Sequence, residues 1–238
     1  LPLTLKKPYF YTNSETMLLA SEEQQIASIL NSPSAPLVAR RLIAALEEEK
    51  NKRQAFYKDI DDDMKIEFIN GEIIVHSPVK KAHTDATGFL YQLLNVFVRI
   101  HQLGYVGYEK VMIALTRNDY EPDVVFFDNE KAVGFKKDQW KYPAPDFVVE
   151  ILSESTSQRD RGVKFEDYAA HGIKEYWIID PDAETIEQYF LEAEQYQLHL
   201  KLSEGTIHSK AVNGFYILVR AIFEEQANLM ELKRIMEG

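Results

Sequence analysis

Residues 146–152, Asp-Phe-Val-Val-Glu-Ile-Leu, constrain this chain more than any other stretch. The run reads as a strand, and because side chains alternate along a strand, Asp146, Val148, Glu150 and Leu152 point the same way. Glu150 then stands among aliphatic side chains, where a carboxylate is costly unless it is paired or holds a metal ion. Asp146 shares its face but lies roughly 13 Å further along the strand, which assigns it to strand entry or a supporting shell.

A second carboxylate, Asp123, opens another apolar strand, Val-Val-Phe-Phe, directly after Pro122. Upstream, the spacing of Leu37, Val38, Leu42, Ile43 and Leu46 predicts an amphipathic helix over 36–57 whose charged far end, EEEKNKR, is solvated. Met64, Ile66 and Phe68 alternate with polar residues before Asn70-Gly71, a hairpin turn. A long helix from His83 to His101 places Phe89, Leu90, Leu93, Leu94, Phe97 and Ile100 on one face. Strands at 105–115, 123–127 and 147–152, a helix at 161–170 and the strand EYWIID follow. Further antiparallel strands run to about Phe223, before a short final helix. This order of strands and helices predicts an α/β sandwich with a mixed sheet over residues 36–238, preceded by a polar arm, 1–35, that is irregular or forms a short surface helix.

Composition removes several chemistries. There is no cysteine, which excludes disulfides, thiolate zinc sites and cysteine nucleophiles and suits a cytoplasmic protein. The apolar runs are shorter than the roughly 20 residues of a membrane helix, and LPLTLKKPYF lacks the apolar stretch of a signal peptide. No phosphate-cradling glycine motif occurs, and His76 and His101 have no partners at zinc-ligand spacing. The net charge of −11 argues against a general polyanion binder. Charge is uneven, however: residues 131–174 hold eight Lys/Arg against seven Asp/Glu.

Two carboxylates on neighbouring strands suit a hard cation such as Mg²⁺. Such an ion promotes phosphodiester hydrolysis by neutralising developing charge and generating hydroxide, and a lysine near it can orient water or stabilise the transition state. Lys164, early in the helix after Glu150, is the candidate lysine, with Arg159, Asp160 and Arg161 in the connecting loop. Each residue also has a plainer reading. Asp123 and Glu150 could cap strands or pair with basic side chains, Lys164 could be a solvated helix lysine, and Trp177 and Tyr168 read as core.

EPDVVFFD, PDFVVEILSEST, RDRGVKFEDYAAHGIKEYWIIDP and the upstream NGEIIVHSP resemble the Uma-type restriction endonuclease family, abundant in cyanobacteria and placed in the PD-(D/E)XK nuclease superfamily. The similarity runs from about Asp63 to Phe223. It implies a restriction-endonuclease-like core with an N-terminal hairpin and C-terminal antiparallel strands. The implied activity is a Mg²⁺- or Mn²⁺-dependent endonuclease acting on DNA, which a homodimer would suit. Asp123 resembles the aspartate of the PD motif and Glu150 the acidic residue of (D/E)XK. Two positions on stands Leu152 rather than lysine, so the family pattern implies the lysine comes from the next helix, as Lys164. On the same resemblance Glu72 assists the catalytic set and His83 is a supporting residue, with Asp160 of the connecting loop a further supporting candidate. A catalytically silent nucleic-acid-binding or assembly module that keeps the fold is the competing expectation.

Overall fold

The computed structural model describes residues 15–60 and 64–238, with side chains of the first helix from residue 23 onward. The chain divides into two compact units, 1–51 and 52–238. In the first lie α1 (Glu15–Leu30) and most of α2 (Ala35–Asp59), which runs on into the second. Residues 1–14, part of the expected polar arm, fall outside the described residues. The apolar face expected of α2 is not buried. Leu37, Leu42, Ile43 and Leu46 are exposed, and the one buried residue is Phe56, beyond the charged run 47–53, which is mostly exposed as expected. That end is held because Phe56 packs on Phe68, with ring centroids 5.6 Å apart. Arg53 grips the buried Asp119 through both carboxylate oxygens, at 2.6 Å each.

The second unit continues with β1 (Ile66–Ile69), β2 (Glu72–Val75), α3 (Lys81–His101), β3 (Gly104–Tyr108), β4 (Met112–Ala114), β5 (Asp119–Tyr120) and β6 (Val124–Asp128). Then come α4 (Asn129–Ala132), β7 (Lys141–Tyr142), β8 (Phe147–Ile151), α5 (Ser157–Asp160), α6 (Val163–Ala170) and β9 (Glu175–Asp180). Two long strands follow, β10 (Thr185–Glu192) and β11 (Gln195–Leu202), then β12 (Thr206–His208), β13 (Tyr216–Leu218) and α7 (Glu225–Glu237). The strand expected at 105–115 is broken in two, and Asp119–Tyr120 adds a short strand in the loop that follows it. No helix of the described residues is long and apolar enough to cross a membrane.

Six strands in the order β11-β10-β9-β8-β6-β3 form the central mixed sheet, in which β8 and β9 are parallel and the other neighbours antiparallel. It is covered on both faces, which is why its strands read as continuous apolar runs. Val124, Phe126, Phe147, Val149 and Trp177 pack on one side with Leu90, Leu93, Leu94 and Val98 of α3 and Ile235 of α7. Ile100, expected on that helical face, is exposed; Val98 is buried instead. Val125, Phe127, Val148, Tyr176 and Ile178 pack on the other side with Tyr168 of α6. A second sheet, β2-β1-β5-β4-β7, begins with the hairpin, whose Asn70 and Gly71 have φ of 52° and 84°, as a two-residue turn requires.

The C-terminal segment is tied to the sheet through Glu175, which has no exposure. Its Oε1 accepts from Trp177 Nε1 and Gln188 Nε2, and its Oε2 from Ser209 Oγ and the amides of Lys210 and Ala211, all at 2.6–2.8 Å.

Candidate active site

Antiparallel pairing of β6 with β8 sets Val124 opposite Val149, and the same register continued by one residue sets Asp123 opposite Glu150. Both carboxylates project on the side of Val125 and Val148, so they share one face of the sheet. Strand alternation alone produces this meeting, once Pro122 ends the preceding loop and the register is fixed.

The two carboxylates have different surroundings. Asp123 Oδ2 accepts the Ile151 amide of the neighbouring strand at 2.8 Å and lies 3.3 Å from His83 Nε2. Its Oδ1 is 2.6 Å from Lys65 Nζ. Burial works against its charge, but Lys65 and His83 outweigh this and hold Asp123 well below the usual carboxylate range. Glu150 Oε1 accepts from Lys164 Nζ at 3.0 Å and Tyr168 Oη at 2.7 Å. Burial pushes Glu150 up to about 8, against the pull of Lys164 and with the help of the Asp160, Asp123 and Glu67 charges.

Lys164 is no solvated helix residue, for its side chain is 1% exposed. Its ammonium lies 2.9 Å from Glu67 Oε1, 3.0 Å from Glu150 Oε1 and 3.3 Å from Asp160 Oδ1. Burial opposes its charge, yet these three carboxylates raise its pKa well above the ordinary lysine value. Glu67 is held in turn by His76 Nε2 at 3.0 Å and by the Glu121 amide. Burial resists ionisation there too, but Lys164 and His76 draw Glu67 down to about 2.

The structure thus brings together Asp123, Glu150, Lys164, His83 and Asp160. Glu72 does not join them. It is exposed at the start of β2, paired across the hairpin with Ile69. The hairpin residue that does reach the group is Glu67, with no exposure. Lys65 and Glu67 were not singled out from the sequence, because in an alternating strand such as MKIEFI the polar positions read as the solvent face, and His76 was weighed there only as a zinc ligand. Of the basic residues in 131–174, Lys164 alone among those paired with acids lines the cavity. Lys131 and Lys174 pair with Asp146, and Arg161 pairs with Glu187.

A cavity of about 370 Å³ opens on this group, lined by Lys65, His83, Lys110, Asp123, Glu150 and Lys164, with Ser153, Ser155 and Thr156 at its side. Four buried carboxyl groups, Glu67, Asp123, Glu150 and Asp160, face two ammonium groups, Lys65 and Lys164. Two imidazoles, His76 and His83, contact Glu67 and Asp123, and a group so rich in carboxyls suits a divalent cation or a retained proton. Among the described residues no three acidic or imidazole side chains stand together as a ready ligand cage. The donor set still fits Mg²⁺ or Mn²⁺, which take one or two carboxylates and keep several waters.

A family model described as "Uma2: Putative restriction endonuclease" matches residues 51–220. Among solved structures, the chain is similar to a crystal structure described as "a putative nuclease belonging to DUF820" from Anabaena variabilis. The two share 18% identity over 71% of this chain and 94% of that one, with a TM-score of 0.61. That likeness bears on the fold, a mixed α/β architecture with helices flanking the sheet. No curated protein matches. The family model covers most of the chain, including both strand carboxylates, and the chain belongs to the Uma2 family.

Proposed function

We propose that this protein is a metal-dependent endonuclease that hydrolyses DNA phosphodiester bonds, with Asp123 and Glu150 holding Mg²⁺ or Mn²⁺. The observation that carries this reading is the cross-strand opposition of Asp123 and Glu150 on one face of the sheet, both lining one cavity. When bound, the ion would neutralise charge developing on the phosphate and supply a hydroxide near neutral pH. His83 and the Ile151 amide fix the Asp123 carboxylate, so one oxygen is aimed rather than free to rotate. Lys164 and Tyr168 do the same for Glu150. Lys164 is shut in by carboxylates and acts as a positioning residue, while Ser153, Ser155 and Thr156 offer hydroxyls at the rim for the substrate backbone. Two copies acting as a dimer would cut both strands.

Incubation with plasmid and oligonucleotide substrates plus Mn²⁺ tests the reading. Cleavage should appear with the wild-type protein and vanish in Asp123→Asn and Glu150→Gln. Activity unchanged by either substitution would defeat it.

A second reading, a silent module that retains the nuclease fold, draws on the internal lysine partners of both carboxylates. Calorimetry with Mn²⁺ separates the two, since micromolar binding abolished by either substitution speaks against silence.

A further inference from the structure

Two lysines touch the carboxylate pair, and they are built differently. Lys164 is locked among three carboxylates with its side chain 1% exposed. Lys65 precedes β1, lines the cavity and has a side chain 20% exposed. Its ammonium lies 2.6 Å from Asp123 Oδ1, the oxygen not engaged by the Ile151 amide. Its charge also acts on Glu150 across the pair. A flexible four-carbon stem carrying a compact positive charge therefore sits at the carboxylates on their open side.

A divalent ion bound to the same oxygen would stand about 2.1 Å away. The ammonium at 2.6 Å takes one lone-pair direction of that oxygen, so a metal ion approaching along it would have to displace the ammonium. We infer that Lys65 is a tethered counter-cation: in the metal-free protein its ammonium fills the place of the ion on Asp123, and it swings off when metal binds. Freed, it stays at the cavity and presents its charge to the substrate's phosphate. The inference rests on the metal-binding reading above and adds that metal entry is a cation exchange.

Two measurements test it. In calorimetry, Lys65→Met should bind Mn²⁺ roughly tenfold more tightly than wild type. Lys110→Met, which removes a charge from the same cavity lining, should change affinity by no more than about twofold, a small fraction of that tenfold step. Equal gains in both variants, or none in Lys65→Met while Asp123→Asn abolishes binding, would overturn the exchange and leave the metal site standing. Absence of Mn²⁺ binding in every protein would remove the metal reading and this inference with it.

Because Lys65→Met leaves Asp123 without its ammonium partner and can impair folding, the wild-type chain supplies the second measurement. Reductive methylation followed by peptide mass spectrometry should show Lys65 modified several-fold faster with saturating Mg²⁺ than without it, while Lys233 on α7 keeps its rate. Unchanged or slower modification of Lys65 would overturn the exchange.

Discussion

Lys164 and Glu67 meet at 2.9 Å with side-chain exposures of 1% and 0%, an ion pair in the interior between an α6 lysine and a β1 carboxylate. It joins the second sheet to the helix behind the site, so the geometry of Glu150 depends on a strand far away in the chain. Removing one partner of such a pair leaves an uncompensated buried charge. Lys164→Met should cost about 3–5 kcal/mol of stability, read by urea denaturation. A loss below about 1 kcal/mol, the worth of a surface pair, would mean that Lys164 is not part of the framework.

His83 lies 3.3 Å from Asp123 Oδ2, and its own carbonyl accepts from the Thr87 hydroxyl one turn along α3. Groups that orient a ligand typically account for 10–100-fold in metal affinity or rate. His83→Ala should therefore weaken Mn²⁺ binding by about tenfold or more without altering the far-ultraviolet circular dichroism. Wild-type affinity in that variant would assign His83 to packing alone.

Glu72 and Glu67 make a matched comparison within one hairpin. Glu72 is exposed, and Glu72→Ala should leave cleavage unchanged and stability within about 0.5 kcal/mol. Glu67→Ala should destabilise the fold by roughly 3–5 kcal/mol, because Lys164 loses a buried partner. Parallel thermal melts of the two variants decide it, and equal effects would contradict the placement of both residues.

Metal affinity should depend on pH through Glu150, which burial pushes up to about 8. An ion takes the carboxylate rather than the acid, so binding releases a proton. Affinity should rise with pH up to about 8 and level off above it, by as much as about tenfold per pH unit on the rising side. Calorimetry in buffers of different ionisation heat counts the proton. Flat affinity with no proton release would refute the assignment of Glu150 as a ligand.

Stability should carry a separate pH signature from Glu121, whose Oε2 accepts the Ile66 amide at 2.9 Å. Burial pushes it up to about 7 from an ordinary 4.5. Between those values the folded chain keeps a proton that the unfolded chain has lost, so this contribution is complete below about 4.5 and declines as pH rises through about 7. The decline should amount to roughly 1–3 kcal/mol. Glu121→Gln should remove it, so the difference in denaturation free energy between variant and wild type must change across that window.

The carboxylate pair was legible because its signal is local: an acid embedded in an apolar strand, twice, in an order that implies a shared sheet. Lys65 and Glu67 were illegible for the converse reason. Their strand alternates in the manner of a half-solvated hairpin, and only the packing of the second sheet turns the polar positions inward, against Lys164 and Asp123. Glu72 was chosen by resemblance, and its place beside the turn exposes it. The charged run of α2 is mostly exposed as read, and only its last residue, Arg53, turns inward to meet the buried Asp119.

The five donors gathered on Glu175 also limit where this protein can be shortened. Three of them come from Ser209, Lys210 and Ala211. A truncation ending ahead of Ser209 would strand a carboxylate in the interior with most of its solvation stripped away. The last thirty or so residues are therefore part of the folding unit, and minimal versions trimmed to the strands that bear the acids should collapse into aggregates rather than yield a smaller folded protein.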